Sequence, residues 1–256
     1  MAAWDPELYL RFAAERTRPA VELAARVAVA APKRVIDLGC GTGTSTEILR
    51  ARWPDAEIVG LDTDDAMLAA ARKNNPELKW VNSDAGHWRD DGAWDVVFSN
   101  AMLQWLPDHA EVVQRYFAAV RPGGALAMQF PSHPRASWRR IVRELANEAA
   151  WHADLLGAEI PHVQAPEFYY AQLAAKCVRI DLWETEYYQA MEGPKAILDW
   201  VRATGLRPYL AALKTDRRRE EFERELLERF TRAFPRQPDG KVLFPFPRTF
   251  FIAYRE

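Results

Sequence analysis

The sequence predicts an α/β fold built on a largely parallel β-sheet, and three observations support this prediction. From Arg34 to about Phe130, short apolar runs rich in β-branched residues alternate with helical stretches, which is typical of successive βαβ units. A cluster of glycines directly follows the first of these runs. The chain has 256 residues, of which 49% are hydrophobic, so it is long enough to bury one well-formed core.

The first half of the chain contains five predicted strands. The first is a buried apolar run that ends at the glycines, and the fourth has the strongest strand composition. The predicted strands are Val35–Leu38, Glu57–Asp62, Lys79–Asn82, Trp94–Ser99 and Ala125–Phe130. The predicted helices between them are Ser45–Arg52, about Ala66–Lys73 and about His109–Val120. Arg121–Gly124 reads as a helix terminator and turn before the fifth strand.

The pattern changes after Phe130. Residues 135–176 read as helical, with interruptions near Gly157 and Pro161, because Trp138, Ile141, Val142, Leu145 and Ala149 recur on one face. A strand follows at Val178–Trp183 and continues through Tyr188. Residues 194–234 are helical again and include an amphipathic stretch, 214–232, with a charged solvent face. Thr249–Tyr254 is the last predicted strand.

Composition excludes several classes of protein. The chain has 34 basic and 36 acidic residues and a formal net charge of −2, which argues against a general nucleic-acid binder. Its apolar stretches are far shorter than the roughly 18–20 residues of a membrane-spanning helix, and its first residues do not resemble an export signal. Two cysteines and five scattered histidines indicate neither a disulfide framework nor a metal site. We therefore expect a cytoplasmic, metal-free protein that binds neither membranes nor nucleic acid.

The strongest indication of a binding site is the segment Asp37-Leu-Gly39-Cys-Gly41-Thr-Gly43, which connects a predicted strand to a predicted helix. Glycines allow a ligand to approach the backbone, and the helix N-terminus offers unpaired N–H groups. Asp62 ends the next strand, where a carboxylate can accept hydrogen bonds from both hydroxyls of a ribose. This context predicts a nucleoside-containing ligand at the glycine loop.

Two ligands fit that layout, a dinucleotide and S-adenosylmethionine. A dinucleotide motif places its third glycine at the position of Thr44, whereas this chain has Gly43. Asp37 would be a poor neighbour for a pyrophosphate but suits the ammonium group of a methionine moiety, so the charge favours S-adenosylmethionine. Ser83 and Asp84 end the third strand, where Asp84 could accept a hydrogen bond from the adenine amino group or, alternatively, cap a helix.

The order of these motifs, from Val35–Gly43 through Asp62, Ser83-Asp84 and Asp95–Asn100 to Arg121–Gly124, resembles the class I S-adenosylmethionine-dependent methyltransferases. More specific stretches resemble bacterial trans-aconitate methyltransferases. They are 4–20, 103–109, 199–208 and 246–248. The resemblance implies a Rossmann-like, seven-stranded, mostly parallel sheet with an antiparallel last strand. It also implies an N-terminal helical lid (1–30), a cofactor-binding core (31–131), helical cap insertions (132–176 and 194–234) and closing strands (177–190 and 248–255) within a single domain.

The implied activity is transfer of a methyl group to one carboxylate of trans-aconitate, a small tricarboxylic acid. A carboxylate is already ionised at neutral pH, so the enzyme needs no general base; its task is orientation, in which Trp105 and Tyr187 are possible participants. The implied cofactor-binding residues are Asp37, Gly39, Gly41, Gly43, Asp62, Ser83, Asp84, Asn100 and Gln104. The implied acceptor-binding residues are Arg16, Arg18, Tyr188, Arg207 and Arg248.

Other functions remain open at this point. The acceptor could be another carboxylic acid or the carboxylate of an acyl-carrier thioester, and the fold could bind the cofactor without catalysis. An acyl-carrier substrate predicts a basic rim on the cap, whereas a free tricarboxylate predicts arginines inside a closed pocket. The sequence does not indicate the oligomeric state.

Overall fold

The computed structural model describes residues 13–90, 93–132, 136–158 and 163–256, with side chains from residue 17 onward. The strands are β1 (Arg34–Leu38), β2 (Glu57–Asp62), β3 (Lys79–Asn82), β4 (Trp94–Asn100), β5 (Val120–Pro131), β6 (Arg179–Met191) and β7 (Val242–Tyr254). The helices are α1 (Ala13–Arg26), α2 (Thr44–Arg52), α3 (Asp65–Asn74), α4 (His109–Ala118), α5 (Ser137–Ala146), α6 (Ala149–Leu155), α7 (Pro166–Leu173), α8 (Pro194–Arg202), α9 (Arg207–Ala212) and α10 (Asp216–Ala233).

The seven strands form one sheet in the order β3-β2-β1-β4-β5-β7-β6. The pairs from β3 through β5 are parallel, and β7 runs antiparallel to β5. This confirms the expected mostly parallel sheet with an antiparallel last strand. Because β1, β2, β4 and β5 are parallel, their carboxyl ends meet at one edge of the sheet, where open α/β folds bind ligands.

The chain divides into two compact units, each with its own core. The first, here called the core unit, comprises residues 16–132, 163–185 and 248–256. Its apolar interior is formed on one face of the sheet by residues that include Leu38, Val97, Leu126, Phe130, Tyr169 and Phe251. Alternation along β5 places Leu126, Met128 and Phe130 on this face and Ala127 and Gln129 on the other.

The core unit includes two helices from segments that the sequence prediction describes as a lid and a cap. Helix α7 lies within the expected cap insertion, but Tyr169 and Leu173 bury its apolar face in the core unit. The Tyr169 hydroxyl is 2.8 Å from Nδ1 of His109 on α4. The described part of α1, from the expected lid, also packs in the core unit, where Leu23 is fully buried while Val21 is 48% exposed.

The second unit contains α5, α6, α8, α9 and α10 around a core rich in aromatic residues. Trp138 packs against Gly205, where an added Cβ would lie 2.3 Å from the indole Cη2. Helix α10 is amphipathic, as the sequence predicts: Phe222 and Phe230 are fully buried, while Arg217 pairs with Glu221 on the outer face. None of the described helices is long and apolar enough to cross a membrane.

The structure corrects the predicted first residue of two strands. The segment Arg121–Gly124 is part of β5, because Val120 already pairs with Trp94 and the backbone of Gly123 and Gly124 bonds to Arg255. Strand β7 begins at Val242, seven residues before the predicted start, and buries Val242 and Phe244 in the second unit. Proline at positions 245 and 247 disguises this stretch, since proline is unusual in strands.

Candidate functional site

The glycine loop connects β1 to α2 and is held against β2. The backbone N–H groups of Gly39 and Cys40 both donate to the carbonyl of Leu61, at 2.8 and 3.0 Å. Gly39, Gly41 and Gly43 all have positive φ angles, of 76°, 55° and 89°, which explains why three glycines stand at these positions. Gly43 is also the N-cap of α2, whose first turn points its N–H groups towards the loop.

The three glycines differ in what surrounds them. A Cβ at Gly39 would lie 2.3 Å from Cγ of Met102, and one at Gly43 would lie 2.7 Å from Cη2 of Trp80. A Cβ at Gly41 would meet no described atom within 4 Å. Gly39 and Gly43 therefore allow close packing inside the protein, whereas Gly41 borders open space that a ligand can fill.

Asp37 provides a buried negative charge at the end of β1. Its carboxylate is fully buried, and Oδ2 accepts hydrogen bonds from the hydroxyls of Ser45 and Thr46 at 2.6 and 2.7 Å. Among the described residues, Oδ1 has no hydrogen-bond partner. Burial raises the pKa of Asp37 to about 6, although the two hydroxyl groups oppose this shift. The orphaned oxygen fits a cationic ligand group.

Asp62 connects the end of β2 to the glycine loop. Its Oδ2 accepts a hydrogen bond from the Gly41 N–H at 2.8 Å, and Oδ1 accepts one from the Asp64 N–H at 3.0 Å. Each carboxylate oxygen can accept a second hydrogen bond. Asp62 thus both positions the loop and retains acceptor capacity for ligand hydroxyls at the same edge of the sheet.

Ser83 and Asp84 follow β3, and Asp84 is engaged in a surface turn. Its carboxylate accepts hydrogen bonds from the Gly86 N–H at 2.7 Å and from Nδ1 of His87 at 2.6 Å. The hydrogen bond from His87 lowers the pKa of Asp84. Asp84 therefore caps a turn, which is close to the helix-capping alternative of the sequence prediction. Its side chain is exposed beside the expected position of the adenine.

The end of β4 presents side-chain amides. Ala101 follows Asn100 with a φ of 57°, a conformation that is strained for alanine. This turn is held by the Ala101 N–H donating to the Gln129 carbonyl at 2.8 Å and by Gln104 Nε2 donating to the Ala101 carbonyl at 2.6 Å. Among the described residues, Asn100 Oδ1 and Gln104 Oε1 are buried without a partner. Trp105, in a 3₁₀ turn (Leu103–Trp105), is 39% exposed.

The predicted acceptor-binding residues fall in different environments. Arg248 on β7 is buried in the core unit, whereas Arg18 on α1 is exposed. The side chain of Arg16 lies outside the described residues. In the second unit, Arg207 is half-buried at the start of α9.

The two predicted tyrosines alternate across β6, as expected of neighbours in a strand. Tyr187 is buried, but Tyr188 is 57% exposed and donates a hydrogen bond to Glu186. The exposure of Tyr188 does not favour its predicted acceptor-binding role, because a closed pocket requires a buried side chain.

Sequence reasoning missed Gln129, which is 1% exposed on β5. Among the described residues, neither of its amide atoms has a hydrogen-bond partner. The available signal was a single amide inside the otherwise apolar run Ala125–Phe130. Ala101 was missed as well, and nothing in its identity signals its positive φ.

Comparison with known proteins places this geometry in a family. A family model described as a methyltransferase domain matches residues 35–124, which contain the glycine loop and Asp62. A trans-aconitate 2-methyltransferase from Methylobacterium radiotolerans is 44% identical, and the alignment covers 99% of this chain and 98% of that protein. The chain belongs to the trans-aconitate 2-methyltransferase family. A second member, from Yersinia pestis, is 41% identical over the whole of both chains.

Membership in this family confirms the enzyme class expected from the sequence, a methyltransferase, and S-adenosylmethionine as its methyl donor. Solved structures agree in fold. The YcgJ protein from Bacillus subtilis superimposes with a TM-score of 0.59 at 14% identity, covering 93% of this chain and 99% of that one. The phosphoethanolamine N-methyltransferase 2 of Haemonchus contortus, solved with S-adenosyl-L-methionine, gives 0.58 at 13% identity, covering 93% of this chain and 53% of that one.

Proposed function

We propose that this protein transfers a methyl group from S-adenosylmethionine to one carboxylate of trans-aconitate, giving a monomethyl ester and S-adenosylhomocysteine. The observation that carries the proposal is the 44% identity to a trans-aconitate 2-methyltransferase over 99% of the chain. The match extends well beyond the methyltransferase-domain segment, residues 35–124, and covers almost all of the rest of the chain on both sides of it.

The cofactor site proposed here lies at the carboxyl ends of β1, β2 and β4. Asp37 would receive the ammonium group through its orphaned Oδ1, and Asp62 would accept the ribose hydroxyls. Gly41 leaves the space that the ligand occupies. Asn100 and Gln104 would contact the methionine end, and Ser83 and Asp84 would border the adenine. Gly39 and Gly43 shape the loop without needing to touch the ligand.

Catalysis in this proposal consists of holding the acceptor rather than exchanging protons with it. When bound, S-adenosylmethionine supplies a methyl group activated by its positively charged sulfur. A carboxyl group with a pKa of roughly 4 is ionised at neutral pH and is already nucleophilic. The protein keeps one carboxylate oxygen in line with the methyl group and excludes water, and such orientation can lower a barrier by roughly 7–11 kcal/mol in favourable systems.

Arg248 is the best-supported acceptor residue of the core unit. It pairs in register with Pro131, the last residue of β5, and is buried at the carboxyl edge of that strand. A guanidinium group in this position can bind a carboxylate through two parallel hydrogen bonds. Arg16, Arg18 and Arg207 remain predicted acceptor residues, and Tyr188 is not part of the proposal.

The proposed function is tested by incubating purified protein with S-adenosylmethionine and trans-aconitate. We expect equal amounts of S-adenosylhomocysteine and a methyl ester, identified by mass spectrometry, and mild base should return the ester to trans-aconitate. Citrate and isocitrate serve as matched tricarboxylates, and a reaction without acceptor measures background. The absence of turnover above background with all three acids would remove the substrate assignment.

Cofactor affinity should depend on pH through Asp37. The ammonium group binds the ionised carboxylate, whose pKa in the free protein is about 6. Affinity for S-adenosylhomocysteine should therefore be highest above that pKa and decline as pH falls through it, approaching about tenfold per pH unit. Isothermal titration calorimetry between about pH 5 and pH 8 measures this dependence.

The control for this prediction is Asp37→Asn, whose amide oxygen can still accept the hydrogen bonds of Ser45 and Thr46. This variant should bind more weakly at pH 7 and show a flatter pH profile. Folding stability should have the opposite pH dependence in the wild type: a raised pKa favours the folded state when Asp37 is protonated, and this contribution is lost as pH rises through about 6. Equal pH profiles for the two proteins would contradict the assignment.

A further inference from the structure

Gln129 carries a side-chain amide that is enclosed in the core unit without a partner. It is 1% exposed, and neither Nε2 nor Oε1 makes a hydrogen bond with the described residues. Exchanging the two atoms leaves both still unsatisfied, so the assignment of oxygen and nitrogen does not alter the problem. A buried polar group without a hydrogen-bond partner costs free energy. A hydrogen bond to a bound ligand would remove that cost and so explain the unpaired amide.

The position of Gln129 indicates what that group could be. Gln129 pairs in register with Asn100 of β4 on one side and with Phe250 of β7 on the other. Paired residues share a face of the sheet, so the Gln129 and Asn100 amides lie on neighbouring strands of the same face. Asn100 Oδ1 is also buried without a partner among the described residues. Two incompletely satisfied amides therefore meet at the carboxyl edge of β4 and β5.

Arg248 belongs to the same face, because its register partner Pro131 is two residues beyond Gln129 on β5. Phe250 is the register partner of Gln129 and lies two residues from Arg248 on β7. It stacks on Trp183 of β6, with ring centroids 4.9 Å apart and an interplanar angle of 6°. We call Asn100, Gln129 and Arg248 the amide patch. It combines hydrogen-bond donors with one permanent positive charge beside an apolar wall.

Strand order separates the amide patch from the nucleoside part of the cofactor site. Asp62 ends β2, whereas Gln129 lies on β5, three strands along the sheet in the order β2-β1-β4-β5. At a spacing of about 4.8 Å per strand, this distance is roughly 14 Å. The ligand group that reaches Gln129 therefore lies beyond the ribose and on the far side of β4 from Asp37, where the methyl acceptor is expected.

The chemistry of an amide fits an acceptor carboxylate. The Nε2 group donates hydrogen bonds, and a carboxylate only accepts them. A neutral amide can remain buried when no acceptor is bound, at a lower cost than an unpaired charge. The Oε1 atom can only accept hydrogen bonds, and an ionised tricarboxylate has no N–H or O–H donor, so the acceptor carboxylate pairs with Nε2 alone.

We propose that Gln129 is a specificity-determining residue that donates from Nε2 to one carboxylate of the acceptor, with Arg248 as the charged partner of the same carboxylate. This inference rests on the proposed function, because it takes the acceptor to be a small polycarboxylate. It goes beyond that function by identifying the face of the sheet and the residue that orient the acceptor relative to the cofactor.

The test compares Gln129→Leu and Gln129→Glu with the wild type in steady-state kinetics on trans-aconitate. Gln129→Leu should raise the KM for trans-aconitate about tenfold, which corresponds to about 1.4 kcal/mol. Gln129→Glu should raise it further, by about 100-fold, because two carboxylates would face each other. Affinity for S-adenosylhomocysteine, measured by calorimetry without acceptor, should change by less than about threefold, since acceptor binding is the main loss.

Met128→Leu is the matched control, since it changes the neighbouring position of β5 on the opposite face while conserving volume. It should leave the KM for trans-aconitate unchanged. Thermal unfolding without ligands separates a binding role from a structural one. Gln129→Leu removes two unsatisfied atoms and should unfold at the wild-type temperature or above it, whereas a residue that stabilises the fold would lower that temperature.

Each outcome is decisive. A wild-type protein that methylates trans-aconitate together with a Gln129→Leu variant of unchanged KM overturns this inference and leaves the proposed function intact. A larger loss of affinity for S-adenosylhomocysteine than of acceptor binding also overturns it, because the amide would then belong to the cofactor site. A wild-type protein inactive on trans-aconitate refutes the proposed function and this inference with it.

Discussion

Replacing Asp62 with alanine is expected to weaken binding of S-adenosylhomocysteine by about 30- to 700-fold. Two charge-assisted hydrogen bonds to ribose hydroxyls contribute about 1.5–3 kcal/mol each, and partial replacement by water reduces the total to roughly 2–4 kcal/mol. The same change removes the acceptor for the Gly41 N–H, so the glycine loop also loses the hydrogen bond that connects it to the end of β2. Isothermal titration calorimetry at neutral pH measures the effect directly.

Two further variants separate these contributions. Asp62→Asn keeps one oxygen that can accept the Gly41 N–H but loses the charge and the second acceptor, so its affinity should fall between those of the wild type and Asp62→Ala. Asp65→Ala removes a nearby exposed carboxylate that bonds to Asn82 and should bind like the wild type. Wild-type affinity in Asp62→Ala would place the ribose elsewhere.

Replacing Gly41 with alanine is expected to reduce cofactor affinity at least about tenfold with a limited loss of stability. The new Cβ meets no described atom within 4 Å, so it enters the open space that the ligand is proposed to fill. Alanine at a φ of 55° is strained by about 1–2 kcal/mol, which should lower the melting temperature by about 2–8 °C. Calorimetry well below that temperature isolates the binding effect.

Gly123→Ala is the matched control for this experiment. Gly123 has a φ of 79° and also has no described atom within 4 Å of an added Cβ, but it lies near the amino end of β5. Its replacement should lower the melting temperature similarly and leave cofactor affinity unchanged. Equal loss of affinity in both variants would show that reduced stability explains the Gly41→Ala result, rather than a Cβ atom in the space of the ligand.

Local signals sufficed to predict most of the sheet and the glycine loop between β1 and α2. Strands β2 and β3 were predicted to the residue, because each is a short run with β-branched or aromatic residues that follows a predicted helix. Asp37, Gly41 and Asp62 were identifiable because a strand-to-helix glycine turn requires particular residues at fixed spacing. Family resemblance added the acceptor class, which composition and spacing alone left open.

Other features depend on contacts between distant parts of the chain. Helix α7 lies in a stretch that the sequence predicts to be helical, but only packing decides that Tyr169 lies beside His109 in the core unit rather than in the expected cap. Residues 121–124 look like a turn in isolation, yet pairing with β4 and bonds to Arg255 extend β5 through them. Tyr187 and Tyr188 were expected to alternate, and only the structure shows that Tyr187 is the buried one and Tyr188 the exposed one.

The sequence by itself determined a mostly parallel α/β sheet, a glycine loop between β1 and α2, and acidic residues at the ends of the first strands, because these follow from local periodicity and fixed spacing. Tertiary structure alone decided the surroundings of each residue. It shows that Gly39 and Gly43 relieve internal packing while Gly41 borders open space. It also brings Asn100, Gln129 and Arg248 to one face, since strand register joins positions that are far apart in the chain.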